Sequence, residues 1–203
     1  MRALATPIDI EGEEKTIDIV GTGGDGSNSF NLSTGTALLS AATGLKVVKH
    51  GNRSVSSKSG SADLLEALNI PLADNPETVK TLLKDHGFVF LFAPFFHPAM
   101  KHVAPIRQSL GIRTVFNILG PLTNPAQPNF YLLGAFSSSM GKLMAEALSG
   151  MCIDRAIIVH GLNGWDEPTP GGEFELYDVK PNHVQRIIRD PKDFGIARCT
   201  EDD

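Results

Sequence analysis

A glycine-rich turn between an apolar run and a helical segment, followed by a second apolar run that ends in basic residues, is the pattern that most constrains this chain. It occupies residues 18–61, DIVGTGGDGSNSFNLSTGTALLSAATGLKVVKHGNRSVSSKSGS. The first apolar run covers residues 16–20 and stops at the glycine loop 21–26. Asn31, Leu32, Ser33 and Thr34 then lead into an alanine- and leucine-rich stretch that ends at Gly44. The second run covers residues 45–48 and delivers Lys49, His50, Gly51, Asn52 and Arg53. The order is strand, loop, helix, strand, loop. Glycines after a strand let the backbone turn tightly and approach a ligand. Ser33 or Thr34 suits the helix N-cap. A helix N-terminus with free N–H groups favours phosphate, and open α/β sheets bind ligands at the carboxyl ends of their strands. Two anion-binding loops at one sheet edge predict a ligand with more than one phosphate group.

Other readings of the same residues stay open at this level. Gly21-x-Gly23-x-x-Gly26 has the form of a dinucleotide fingerprint, but a NAD site needs an acidic residue about 20 positions on. Lys49 and His50 hold that place, which leaves room for an NADP phosphate. No Gly-Lys-Ser/Thr follows the glycines, so a Walker P-loop is excluded. A glycine turn beside solvated basic residues, with no ligand, is the plain alternative.

The rest of the chain reads as alternating helices and strands, which argues for a mainly parallel α/β sheet. Leu64, Leu65 and Leu68 recur at helical spacing. Asn75, Pro76 and Glu77 open a further helix that Gly87 closes. The wholly apolar run 88–92 reads as a central parallel strand. A helix is predicted over 101–110 and a loop over 117–125, the latter from its Asn, Gly and Pro content. Strands are predicted over 131–136 and 155–160, with a helix over 138–148 between them. A hairpin of strands 173–179 and 184–189 follows, then a turn at 190–195. Asp166 and Glu167 stand side by side after the 155–160 strand. Such pairs are commonly solvated, but carboxylate oxygens also suit Mg²⁺. Arg107 by spacing alone is a solvated arginine.

With 203 residues, 41% hydrophobic and 20% charged, the chain can bury one sizeable core. A net charge of −5 argues against broad nucleic-acid binding. Cys152 and Cys199 lack metal spacing, and reduced thiols in a cytoplasmic protein are the expectation. No signal peptide and no membrane helix are expected.

The strings GTGGDG, NLST, KHGNRSVSSKSGSADLLEAL, HPAMKHVAPIRQSLGIRTVFNILGPLTNPA and GWDEP resemble the anthranilate phosphoribosyltransferase family over nearly the whole chain. Pyrimidine nucleoside phosphorylases share the fold class and a glycine loop but lack KHGNRSVSS. The resemblance implies a nucleoside phosphorylase/phosphoribosyltransferase-like α/β domain over 1–203. Residues 97–125 would contribute to a small helical lobe and the aromatic-substrate site. Flanking helical parts of the family would be absent, and such a fragment alone is expected not to turn over efficiently.

The implied reaction transfers the phosphoribosyl group of 5-phosphoribosyl 1-diphosphate to the amine of anthranilate, with Mg²⁺ and without a covalent nucleophile. Gly21, Gly24, Asp25, Ser29, Asn31, Leu32, Ser33, Thr34, Lys49, His50, Gly51, Asn52, Arg53, Ser54, Val55, Ser56, Ser57 and Ser61 match its phosphoribosyl diphosphate site. Ser29 stands where the family often has Thr. Gly21, Asn52 and Arg107 match anthranilate contacts, an arginine being suited to a carboxylate through its planar fork. Ser33, Asp166 and Glu167 match metal positions, with Trp165 before the acids where many relatives have another residue. The full-length family enzyme is a homodimer, without nucleic-acid or membrane partners. A module that binds phosphoribosyl diphosphate or a nucleotide without turnover, or a pyrimidine nucleoside phosphorylase-like enzyme, remains the alternative.

Overall fold

Apolar runs spaced by amphipathic segments build two compact units, one of Met1–Val20 with Phe30–Pro128 and one of Gly21–Ser29 with Asn129–Asp203. The structure is a computed structural model and describes residues 1–10, 15–23, 30–53, 59–103, 109, 115–161 and 164–200.

In the first unit the strands run in the order β3-β4-β2-β1, all parallel. β1 is Thr16–Gly21, β2 Lys46–Gly51, β3 Leu72–Ala73 and β4 Phe88–Phe92. β2 pairs with β4 from Val47↔Phe88 to Gly51↔Phe92. Val48, Val89 and Leu91 therefore share one face. They pack with Val79 and Leu83, one turn apart on α3 (Pro76–His86), and with Ile8, Ala73 and Phe96. β4 is apolar throughout because its first four residues are buried. α3 has the predicted ends. Asn75 Oδ1 accepts from the Thr78 N–H at 3.0 Å, Pro76 fills the first turn, and Gly87 turns left-handed at φ 68°.

Three expectations are corrected. α1 is Leu32–Ala42 with Asn31 as N-cap, so Ser33 and Thr34 lie inside its first turn and not at the cap. Residues 117–122, the larger part of the predicted 117–125 loop, belong to α5 (Val115–Leu122), with Pro121 one residue before its end. Apolar Val115, Phe116, Ile118 and Leu119 outweigh the turn-forming Asn, Gly and Pro beside them. Lys101 and His102 end a 3₁₀ turn, Pro98–His102, and do not open an α-helix. Most of the predicted 101–110 helix lies outside the described residues. α2 (Ser61–Ala67) matches its prediction. A four-residue α4 (Ala93–Phe96) and the two-residue β3 were not anticipated.

In the second unit β5 (Phe130–Gly134) pairs parallel with β6 (Arg155–Gly161). β7 (Phe174–Lys180) and β8 (His183–Arg189) extend it antiparallel as the predicted hairpin. α6 (Ser138–Ser149) is capped by Ser137, whose Oγ accepts from the Met140 N–H at 3.2 Å. Its buried residues Gly141, Met144, Ala145 and Leu148 follow helical spacing. A Cβ on Gly141 would stand 3.1 Å from the Tyr177 ring, so the helix lies close on β7. The strands are mostly parallel and flanked by helices, as expected from the sequence. No helix among the described residues is long and apolar enough to cross a membrane.

Leu83 is 5% exposed at the centre of the first unit's core. Leu83→Ala should cost about 2–5 kcal/mol in urea unfolding. A cost below about 1 kcal/mol would show that α3 does not depend on this contact.

Candidate functional site

The first unit gathers its candidate residues where β2 ends and α1 begins. β2 runs three residues further than its apolar run, to Gly51, so Lys49 and His50 are strand residues and are buried. Lys49 is 1% exposed; its Nζ donates to the Ile19 carbonyl of β1 and lies 3.4 Å from Ser33 Oγ in the first turn of α1. Asp18, fully buried on β1, supplies the opposing charge. Its Oδ2 accepts from Asn124 Nδ2 at 2.8 Å and its Oδ1 from the His50 N–H at 3.3 Å. Asn124 Nδ2 also donates to the Val48 carbonyl at 2.8 Å. Burial pushes the Asp18 carboxyl up to about 6 against the pull of Lys49, and pulls the Lys49 ammonium down to about 8.

His50 Nδ1 lies 3.2 Å from the Gly120 carbonyl, and its ring meets the buried His97 ring edge-on at 5.0 Å. Burial first, then His97, pulls the His50 imidazole down to about 3, so it is neutral. Gly51 is required by packing: a Cβ there would stand 2.7 Å from Ser61 Oγ and 2.9 Å from the Phe90 ring. Ser61 Oγ donates to the Asn52 carbonyl at 3.2 Å, and Asn52 Oδ1 accepts from the Arg53 N–H at 2.8 Å. Arg53 reaches α2. Its guanidinium forks onto Glu66 at 2.5 Å, touches Asp63 at 3.2 Å, and lies 5.5 Å from the centre of the Phe92 ring. Asn31 Nδ2 donates to Ser59 Oγ at 3.4 Å. Thr34 Oγ1 is buried with no hydrogen-bond partner among the described residues, and Leu32 is exposed.

The second unit holds Gly21, Asp166 and Glu167. Asp166 is 5% exposed, and its Oδ2 accepts from the Gly23 N–H at 2.9 Å. Glu167 is half-buried. The two acids offer hard oxygen donors that fit Mg²⁺. Among the described residues no group of three or more His, Cys, Asp or Glu is placed to cage an ion. Mg²⁺ is commonly held by one or two carboxylates with waters and substrate phosphates, and needs no such cage. Gly24, Asp25, Ser29, Ser54, Val55, Ser56, Ser57 and Arg107 lie outside the described residues.

Sequence reasoning missed Asp18, His97 and Asn124 as members of the cluster. The available signal was Asp18 itself, a carboxylate inside an apolar strand.

The first unit thus holds a hydroxyl-bearing helix start beside a buried lysine, and the second holds an acidic turn after β6, both in an α/β architecture. The sequence profile of the glycosyl transferase family, a/b domain, matches residues 13–203, and the chain belongs to that family. It is 54% identical over 199 residues to an anthranilate phosphoribosyltransferase of Oleidesulfovibrio alaskensis, covering 98% of this chain and 60% of that protein. The anthranilate phosphoribosyltransferase structure of Thermus thermophilus superposes with a TM-score of 0.86 at 49% identity, covering 98% of this chain and 58% of that one. The Saccharomyces cerevisiae enzyme in complex with PRPP and Mg superposes with a TM-score of 0.85 at 37% identity, covering 97% and 54%. The chain thus spans about 60% of the length of the curated relatives it matches.

The neutral, buried His50 predicts a pH effect. Its folded value lies near 3, below the ordinary 6.5, so its stabilisation is full above pH 6.5 and is lost as the pH falls through that window. The stability advantage of wild type over His50→Gln should shrink between pH 6.5 and 4, by up to about 1.4 kcal/mol per pH unit. A pH-independent difference in paired denaturation curves would contradict a neutral buried ring.

Proposed function

We propose that this chain is the phosphoribosyl diphosphate-handling part of an anthranilate phosphoribosyltransferase. The observation that carries the proposal is the 54% identity over 98% of the chain to a relative of that name. It is supported by the buried Lys49, Ser33 and Thr34 at the start of α1. In the reaction the amine nitrogen of anthranilate attacks C1 of the ribose. The C1–N bond forms, the bond from C1 to the diphosphate oxygen breaks, and the amine gives up a proton. Positive charge develops on the ribose as diphosphate leaves. Catalysis then consists of alignment and of stabilising the leaving anion.

In this reading Gly21, Gly24, Asp25, Ser29, Asn31–Thr34, Lys49–Ser57 and Ser61 form the phosphoribosyl diphosphate site. Lys49 is already committed to Ile19 and Asp18. Its contribution is to fix the start of α1 through Ser33 and to add positive potential. Arg107, with Gly21 and Asn52, takes the anthranilate carboxylate and its ring, and residues 97–125 serve the aromatic side. Ser33, Asp166 and Glu167 are the Mg²⁺ positions; when bound, the ion offsets the charge of the departing diphosphate. A homodimeric, cytoplasmic full-length enzyme completes the proposal.

The test is anthranilate fluorescence. With phosphoribosyl diphosphate and Mg²⁺, a chain completed to the length of its relatives should consume anthranilate. The 203-residue chain should bind phosphoribosyl diphosphate in calorimetry. Its turnover should be slower on the order of a hundredfold, because a misplacement of about 1 Å at the aromatic side carries that penalty. Binding without fluorescence loss at either length would instead favour a binding module. Asp166→Asn combined with Glu167→Gln should raise the Mg²⁺ concentration needed for half-maximal rate by at least about tenfold. An unchanged Mg²⁺ requirement would remove the acidic turn from the site.

A further inference from the structure

Three glycines of the second unit, each the last residue of a strand, abut one turn. A Cβ on Gly21 of β1 would stand 2.5 Å from Asp166 Oδ2 and 3.3 Å from its Cγ. On Gly134 of β5 it would overlap the Asp166 carbonyl oxygen outright. On Gly161 of β6 it would stand 2.7 Å from the Glu167 carbonyl and 3.2 Å from Trp165 Cβ. At Gly134 and Gly161 a side chain leaves no room for the 165–167 backbone, and at Gly21 it would collide with the Asp166 carboxylate itself. Hydrogen bonds close the turn: the Gly161 N–H donates to the Trp165 carbonyl at 2.9 Å, and the Gly164 N–H to the Gly161 carbonyl at 3.0 Å. Gly164 supplies the left-handed bend at φ 88°.

Seated this way, Asp166 has its carboxylate aimed back at the glycine loop. Its Oδ2 accepts from the N–H of Gly23, a residue at φ 63°. The preceding residue is fixed on both sides. The Thr22 N–H donates to the Gly134 carbonyl at 2.9 Å, and Thr22 Oγ1 accepts from the Phe136 N–H at 3.1 Å. We propose that Asp166 is a positioning residue for the glycine loop in addition to its metal role. Its carboxylate clamps Gly23 and so prepares the start of the loop for a phosphate before any metal arrives. A carboxylate oxygen accepts more than one partner, so the clamp and a cation are compatible. The inference rests on the reading of this loop as part of the phosphoribosyl diphosphate site.

Two substitutions separate the clamp from the charge. Asp166→Asn keeps an oxygen that can accept from the Gly23 N–H and loses the charge. Asp166→Ala loses both, and Asp166→Leu replaces it if the alanine variant does not fold. In metal-free protein, amide exchange at Gly23 measured by NMR should be alike in wild type and Asp166→Asn. It should be faster on the order of tenfold in Asp166→Ala, the weight of one lost hydrogen bond. In EDTA, phosphoribosyl diphosphate should bind Asp166→Asn at least about fivefold more tightly than Asp166→Ala. Equal exchange and equal affinity in the two variants would overturn the clamp. Separated exchange with equal affinity would overturn its role in preparing the loop. Wild-type protein that binds no phosphoribosyl diphosphate even with Mg²⁺ would overturn the proposed function first, and the loop's preparation with it.

Discussion

A carboxylate sealed inside an apolar strand is the constraint on which the first unit depends. Asp18 has no contact with solvent, and desolvation alone would drive it neutral. It is held by Lys49, the Asn124 amide and the His50 N–H. These partners come from β2 and from the segment after α5, so one buried charge registers three pieces of chain distant in sequence. Removing one member of such a pair leaves an uncompensated charge at a cost of about 3–5 kcal/mol, whereas an apolar replacement of the whole set can be neutral. That asymmetry points to a positional role. The pair sets Lys49 Nζ beside Ser33 at the start of α1 and turns His50 toward His97.

The second unit solves a different problem, the placement of acidic groups, with backbone. Gly21, Gly134 and Gly161 leave room for the Trp165–Glu167 turn, and Gly141 lets α6 approach β7. Side chains could not provide the same closeness. The outcome is an Asp166 carboxylate fixed by strand ends, which are stiffer supports than loops for a binding group. Energy spent on folding replaces energy that a ligand would otherwise spend on ordering the site.

Much of this was legible in the residues. The strands β1, β2, β4, β5 and β6 stand where apolar runs were found, and α3 starts and stops at Asn75 and Gly87 because caps act locally. The β7–β8 hairpin follows the same logic, with Asn182 left-handed at φ 56° in its turn. The glycine loop and the acidic pair were placed at strand ends by order alone. What the residues hid depends on distant partners. Lys49 and His50 look solvated in sequence, because the Asp18 that shelters them lies on another strand. α5 looks like a loop, because Asn, Gly and Pro signal turns unless apolar neighbours override them. β3 is too short to carry a pattern.

The Asp166–Glu167 turn is proposed to hold the metal of a phosphoribosyl diphosphate site. The most direct measurement is the anomalous diffraction of crystals grown with Mn²⁺ and phosphoribosyl diphosphate. An anomalous peak is expected within coordination distance of the Asp166 and Glu167 carboxylates, with density for the diphosphate on the metal. A well-ordered diphosphate whose metal lies elsewhere, with both carboxylates bare, would contradict it.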